Sequence, residues 1–243
     1  MEFDFDSENN INTTKTPSIK VLNDEAKLWI SDECAEICGW KLGGIPHNIK
    51  IKKGVSGSTI YKPWMLILQR SSLLKVETNT GRIIKVWTSA DKKDETYGCV
   101  RKYTILFVGQ DNNPLHEVPI QLTARGCFQF EFDCQLYEFR STMTKAYKDK
   151  VTSMKNCWYS MCVFVPTFQS MLRGETGKQR NACITIGYET PTKDNWLSLC
   201  VGRRDDLANK FWPDVDGTYT QHVYKLYCDT KKLCEAKGRW KRD

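Results

Sequence analysis

Short alternations of apolar and polar residues predict several β-strands along the chain. Residues 18–22 read Ser-Ile-Lys-Val-Leu, which has the two-residue period of a half-buried strand. Further segments have the length and composition of strands: 27–30, 49–53, 64–69, 73–77, 82–87, 99–108, 115–123, 158–165, 182–188 and 196–201. Asn79-Thr80-Gly81 is a turn sequence, so two of these segments are expected to form a hairpin.

A different period predicts one long helix at residues 127–150. Its apolar residues follow spacings of four, four, three and four, and so lie on one helical face: Phe128, Phe132, Leu136, Phe139 and Met143. A shorter helix is expected after Ser31, which can cap it, and it should end at Gly39. Strands followed by a few helices, without an internal repeat, indicate the α+β class with a predominantly antiparallel sheet. A barrel of the oligonucleotide-binding type is one arrangement that suits residues 45–123.

Composition adds the expected domain organisation. The chain has 243 residues, of which 40% are hydrophobic and 27% are charged, as in ordinary globular proteins. Residues 1–16 are acidic and poor in branched apolar residues, so we expect a disordered acidic tail followed by a single α+β domain at 17–243. The longest apolar runs have strand length, and the first residues are acidic where a secretory signal would be basic. These features predict a cytoplasmic protein that does not contact a membrane.

Candidate chemical motifs do not support catalysis or metal binding. The eleven cysteines include no Cys-x2-Cys pair, and the three histidines lie far apart in sequence, which disfavours a zinc site. The loop at 174–179 has two residues between its glycines where a phosphate-binding loop needs four. We therefore expect no metal, no cofactor and no enzymatic activity. A cysteine-dependent enzyme stays open as an alternative, because a cysteine and a histidine can meet through folding alone.

Positive charge is concentrated in one part of the chain. The net charge is +7, and residues 41–110 hold 13 basic and 4 acidic side chains. Such a segment favours a polyanionic partner, because lysines and arginines that neutralise phosphates release condensed counterions. Aromatic residues are interleaved with these cations, and exposed rings on strands can stack on unpaired bases. The predicted contacts of a single-stranded nucleic acid are Lys52, Lys53, Lys62, Trp64, Arg82, Lys85, Trp87, Lys92, Lys93, Arg101, Lys102 and Tyr103.

Two other interpretations of these residues stay open. Trp64 and Trp87 can instead fill the core, as most tryptophans largely do. The protein can also be an adaptor or assembly subunit that contacts a protein partner through its acidic tail. The oligomeric state does not follow from the sequence.

Several phrases of the sequence occur together in one known family. These phrases are Pro17-Ser18-Ile19-Lys20-Val21-Leu22, Cys38-Gly39-Trp40, residues 65–71, and residues 113–119 followed by Ala124-Arg125-Gly126. In these phrases, which span roughly residues 17–170, the chain resembles an uncharacterised family of cyanobacterial proteins. The resemblance implies a bacterial cytoplasmic setting, such as a plasmid or another mobile element. That family has no assigned activity, so the resemblance transfers no functional residue.

Overall fold

The computed structural model of the chain describes residues 16–40, 55–93, 96–147 and 159–201. Three predictions from the sequence fall on other residues. Nearly all of the acidic tail, the strand predicted at 49–53, and the candidate contacts Lys52 and Lys53 lie outside the described residues.

The described residues form eleven strands and two α-helices. In chain order these are β1 (Ser18–Leu22), β2 (Lys27–Ser31), α1 (Asp32–Ile37), β3 (Gly57–Ile60), β4 (Met65–Arg70), β5 (Leu74–Glu77), β6 (Ile83–Val86), β7 (Tyr97–Phe107), β8 (Ile120–Arg125), α2 (Gly126–Tyr147), β9 (Val163–Phe164), β10 (Pro166–Arg173) and β11 (Arg180–Tyr188). A short 3-10 helix, Ser89–Lys93, precedes β7.

Nine of these strands form one sheet in the order β3-β2-β1-β8-β7-β4-β9, with β5 paired to β7 and β6 paired to β5. The pairing of β1 with β8 is parallel, and the other pairings among the described strands are antiparallel. The predicted predominantly antiparallel sheet with few helices is therefore confirmed. No described pairing joins β3 to β9, so the oligonucleotide-binding-type barrel stays a prediction. Strands β10 and β11 form a separate two-stranded sheet.

Helix α2 covers one face of the large sheet, as its apolar spacing predicts. All five residues of the predicted face are at most 4% exposed. Phe132 contacts Tyr103 of β7 and Phe164 of β9, with ring centroids 5.0 and 5.5 Å apart. The helix follows β8 without a connecting loop, and Gly126 at this junction has a φ of +54°, which glycine adopts at little cost. One continuous cluster of buried apolar side chains joins α2 to the sheet.

The later part of the chain differs from the sequence prediction in three places. Of the described part of the strand predicted at 158–165, only Val163–Phe164 forms a strand, β9. Residues 196–201 do not form a strand, because they lie in turns and contribute only an isolated bridge between Cys162 and Cys200. Strand β10 was not predicted, and its residues from Thr167 onward are partly or largely exposed. Neither α1 nor α2, nor any other helix in the described ranges, has the length and apolar character to cross a membrane.

Candidate anion-binding cavity

A cavity of about 560 Å³ lies around the end of β4. Its lining combines three cationic, five uncharged polar and two apolar side chains: Arg70, Lys102, Arg140, Gln69, Ser71, Thr104, Gln121, Ser160, Ile67 and Leu68. No acidic side chain of the described residues belongs to this lining. We call it the cationic cavity.

A β-bulge in β4 determines which side chains reach this cavity. Ile67 pairs with Ile105 of β7, but the next pair is Gln69 with Thr104, so Leu68 is an additional residue in β4. Gln69, Thr104 and Gln121 therefore form one row across β4, β7 and β8. The next residue, Arg70, pairs with Tyr103 and lies on the face covered by α2, because side chains alternate along a strand. The cavity is lined from both faces of the sheet.

Strand β9 covers only the first part of the outer edge of β4. Its pairs are Met65 with Phe164 and Leu66 with Val163. Farther along this edge, the hydroxyl group of Ser160 donates a hydrogen bond to the carbonyl oxygen of Leu68 at 3.2 Å. Among the described strands, none extends the sheet beyond β4 from this point on, which leaves room for the cavity.

Arg140 brings a largely buried positive charge from α2 to the cavity. Its guanidinium carbon lies 5.2 Å from the centroid of the Tyr159 ring. Its Nε atom is buried and has no hydrogen-bond partner among the described residues. Burial lowers the pKa of Arg140, and the nearby positive charge of Arg70 lowers it further. An arginine stays protonated under such conditions, so an anion in the cavity would relieve an unfavourable arrangement.

Asp133 of α2 is the acidic group beside these cations. Its carboxylate accepts a hydrogen bond from the Tyr103 hydroxyl at 2.7 Å and one from the Gln129 amide at 2.5 Å. It also forms ion pairs with Arg70 at 3.4 Å and with the Nε atom of Arg101 at 3.1 Å. The Arg101 pair is not a hydrogen bond, because the N–H of Nε does not point at the carboxylate. Burial and the charge of Asp133 raise the pKa of Tyr103 far above its usual value. One carboxylate is thus shared by two arginines, so the net charge of Asp133 and the neighbouring cations stays positive.

A second group of charges lies on the β5–β6 hairpin. The Asp91 carboxylate contacts the ammonium groups of Lys75 and Lys85 at 2.9 and 3.3 Å. Hydrogen bonds from Thr88 and Lys75 hold the pKa of Asp91 well below its ordinary value. Lys75 also lies over the Tyr97 ring, 4.0 Å from its centroid. Both lysines of this group are therefore paired with Asp91, although the side chain of Lys85 is 54% exposed.

The predicted aromatic contacts are mostly unavailable for stacking. Tyr103 is 0% exposed and belongs to the core beneath α2. Trp64 is half-buried and packs against that core. Trp87 is also half-buried, directly after β6. The interpretation of these rings as an exposed platform therefore receives no support from their placement.

The predicted cationic contacts lie in several separate places. Lys62 is exposed in the turn before β4, and Arg82 is exposed at the start of the β6 arm. Lys92 and Lys93 belong to the 3-10 helix, Lys85 pairs with Asp91, and Arg101 pairs with Asp133. Of the predicted contacts that the structure describes, only Lys102 lines the cationic cavity.

The sequence reasoning missed Arg70 and Arg140, the two arginines that join Lys102 in the cavity. Arg140 follows Leu136 by four residues and Phe139 by one, so the helical period already places it at the edge of the buried face. Arg70 carries no comparable signal, because the bulge at Leu68 determines its side of the sheet.

The surroundings of His116 bear on the alternative of a cysteine-dependent enzyme, which needs a histidine as its base. His116 is 3% exposed, and its Nε2 atom accepts a hydrogen bond from the backbone N–H of Phe107 at 2.9 Å. Its Nδ1 atom lies 2.8 Å from the carbonyl oxygen of Val118. Both ring nitrogens therefore contact the backbone, which suits a structural role.

Among the described residues, no three potential ligands lie close enough together to hold a metal ion.

Comparisons with known proteins identify the family of this chain. Residues 14–223 match the family described as "Domain of unknown function (DUF5895)". "Uncharacterized protein 254L" of Invertebrate iridescent virus 6 is 40% identical over 277 aligned positions, which cover 95% of this chain and 79% of that protein. No solved structure matches the chain. The expectation of an uncharacterised family is confirmed, whereas the cyanobacterial setting receives no support from a viral relative. The chain belongs to the DUF5895 family.

Proposed function

We propose that this protein is a non-enzymatic nucleic-acid-binding protein that binds single-stranded DNA or RNA in the cytoplasm. The observation that carries this proposal is the convergence of Arg70, Lys102 and Arg140 on one cavity, without an acidic side chain among its described lining residues. Phosphate groups are the anions that such clusters bind well, because guanidinium and ammonium groups donate charge-assisted hydrogen bonds to them.

The sheet surface beside the cavity supports contacts with more than one phosphate. Side chains alternate along strands, so Gln121, Thr123 and Arg125 of β8 lie on the same face as Lys102 of β7. Arg125 is exposed, and its Nη2 atom is 3.4 Å from the position that a β-carbon on Gly81 would take. This places Arg125 close to the turn before Arg82. A strand that enters the cavity can therefore meet further cations along β8 and the hairpin.

Phosphate contacts, rather than base stacking, carry most of the proposed affinity. Tyr103 lies in the core and Trp64 packs against it, so both are left out of the revised contact set. The revised set consists of Arg70, Lys102 and Arg140 in the cavity, together with the exposed Arg82 and Arg125. Unpaired strands are favoured over duplexes because a flexible backbone can bend into a cavity around the end of one β-strand.

Fluorescence anisotropy with labelled single-stranded DNA, single-stranded RNA and duplex DNA tests this proposal at several salt concentrations. Binding to single strands should weaken steeply with salt. Lys102→Met should reduce the slope of log K against log salt by about 0.7, the value for one phosphate contact on a single strand. Lys145→Met is the matched control, because Lys145 is exposed in the last turn of α2 and does not line the cavity. Absence of binding to all three probes at low salt would refute the proposal.

One observation favours a protein–protein adaptor as the second candidate function. Phe130 and Tyr137 of α2 are 63% and 75% exposed and lie two turns apart on one side of the helix. Exposed aromatic residues are common in protein interfaces. In this alternative the acidic residues 1–16 are a second predicted contact with the partner. A loss of partner capture in Phe130→Ser/Tyr137→Ser, with strand binding unchanged, would support an adaptor role separate from the cavity.

A further inference from the structure

We propose that the cationic cavity binds the terminal phosphate of a nucleic-acid strand, rather than a phosphodiester within the strand. This inference rests on the proposed nucleic-acid binding and names the part of the ligand that enters the cavity. It is carried by the charge, the size and the polar lining of that cavity.

The charge of the cavity matches a phosphate monoester better than a phosphodiester. A terminal phosphate carries a charge between about −1.5 and −2 at neutral pH, whereas each internal phosphodiester carries one negative charge. The lining contributes Arg70, Lys102 and Arg140, and of these Arg70 forms an ion pair with Asp133, which also accepts hydrogen bonds from Tyr103 and Gln129. Even with the charge of Arg70 offset by Asp133, the lining holds more positive charge than a single phosphodiester would neutralise.

The size of the cavity suits one nucleotide at the end of a strand. Its volume of about 560 Å³ lies within the range of small-molecule pockets, about 300–1,000 Å³. A surface that follows the backbone of a continuous strand is instead an extended groove that spans several nucleotides. Arg140 and Ser160 line this cavity together with β4, and the Ser160 hydroxyl is bonded to the carbonyl oxygen of Leu68.

The uncharged part of the lining suits a nucleotide better than inorganic phosphate. Gln69 and Gln121 lie in the same row across the sheet, with Thr104 between them. Each side-chain amide offers donors and an acceptor, the combination that pairs with the edges of nucleobases. Ser71 adds a hydroxyl group at the end of β4, although this hydroxyl already contacts the backbone at Ser72 and Lys102.

The test compares oligonucleotides of one sequence, about 12 nucleotides long, that differ only at their ends. The probes carry a 5′-phosphate, a 3′-phosphate or no terminal phosphate, and their affinities are measured by anisotropy with the full chain. One added charge-assisted contact should tighten binding by at least about tenfold for a phosphorylated end. Arg140→Met should abolish this difference, since it removes the charge and keeps an aliphatic side chain over Tyr159. Lys145→Met should preserve the difference.

Each outcome separates the inference from the proposed function. Equal affinity for phosphorylated and unphosphorylated strands, with steep salt dependence, would overturn the inference and leave strand binding intact. Failure of every oligonucleotide to bind would overturn the proposed function as well. Inorganic phosphate is the competitor that distinguishes a strand end from a free anion. If it displaced the labelled strand as well as the unlabelled phosphorylated strand does at the same concentration, the assignment to a strand end would be wrong.

Discussion

Replacing Phe132 by alanine should remove a central contact between α2 and the sheet. The side chain is 0% exposed, and its ring lies 5.0 to 5.5 Å from the rings of Tyr103, Phe128 and Phe164. Truncating a buried phenylalanine costs about 3–5 kcal/mol, because apolar burial is lost and a cavity remains. Three ring contacts, each contributing about 0.5–1.5 kcal/mol beyond burial, place the expected cost in the upper part of that range.

Phe130→Ala supplies a matched control two residues away on the same helix. Phe130 is 63% exposed, so the same chemical change should alter the free energy of unfolding by no more than about 0.5 kcal/mol. Urea or thermal unfolding measures both variants. At about 2–4 °C for each kcal/mol, a loss of about 4 kcal/mol in Phe132→Ala lowers the Tm by about 8–16 °C. Equal destabilisation by the two variants, or a loss below about 1 kcal/mol in Phe132→Ala, would refute the assigned packing of α2.

Three further predictions concern pH, backbone packing and thiol reactivity. Because the folded pKa of Asp91 is depressed, its contribution to stability is complete above about pH 4 and is lost as the pH falls towards the folded value. Urea midpoints at neutral and acidic pH should therefore differ less in Asp91→Asn than in the parent protein, and an unchanged difference would contradict this. Gly57→Ala should destabilise the protein, because its β-carbon would overlap the backbone oxygen of Ile30 in β2, whereas the β-carbon of Gly187→Ala meets nothing within 4 Å. Comparable melting temperatures for the two variants would contradict this account of β3. Cys127 is exposed and should react with a thiol reagent before Cys183 does, because burial raises the pKa of Cys183 to about 12 and should protect it until unfolding. Mass spectrometry of partly labelled protein checks this order, and early labelling of Cys183 would show that its burial is misassigned.

The sequence by itself determined the elements whose signal is local. The spacing of apolar residues identified α2 and its buried face, because a helix brings residues three and four apart together without regard to the rest of the chain. Alternation in β1 and β7, and the length and composition of an apolar run in β4, likewise predicted these strands to within two residues at either end. The concentration of positive charge at 41–110 is also local, and it led to Lys102.

The tertiary structure alone decided the membership of the cationic cavity. Arg70 and Arg140 are seventy positions apart in sequence, and a bulge at Leu68 together with the docking of α2 brings both to Lys102. Tyr103 belongs to an alternating strand whose two faces look similar in sequence, and only the position of α2 makes its face the buried one. Local periodicity specifies which residues share a face, but packing between distant segments specifies which face is buried, because burial depends on surfaces that meet only after the chain has folded.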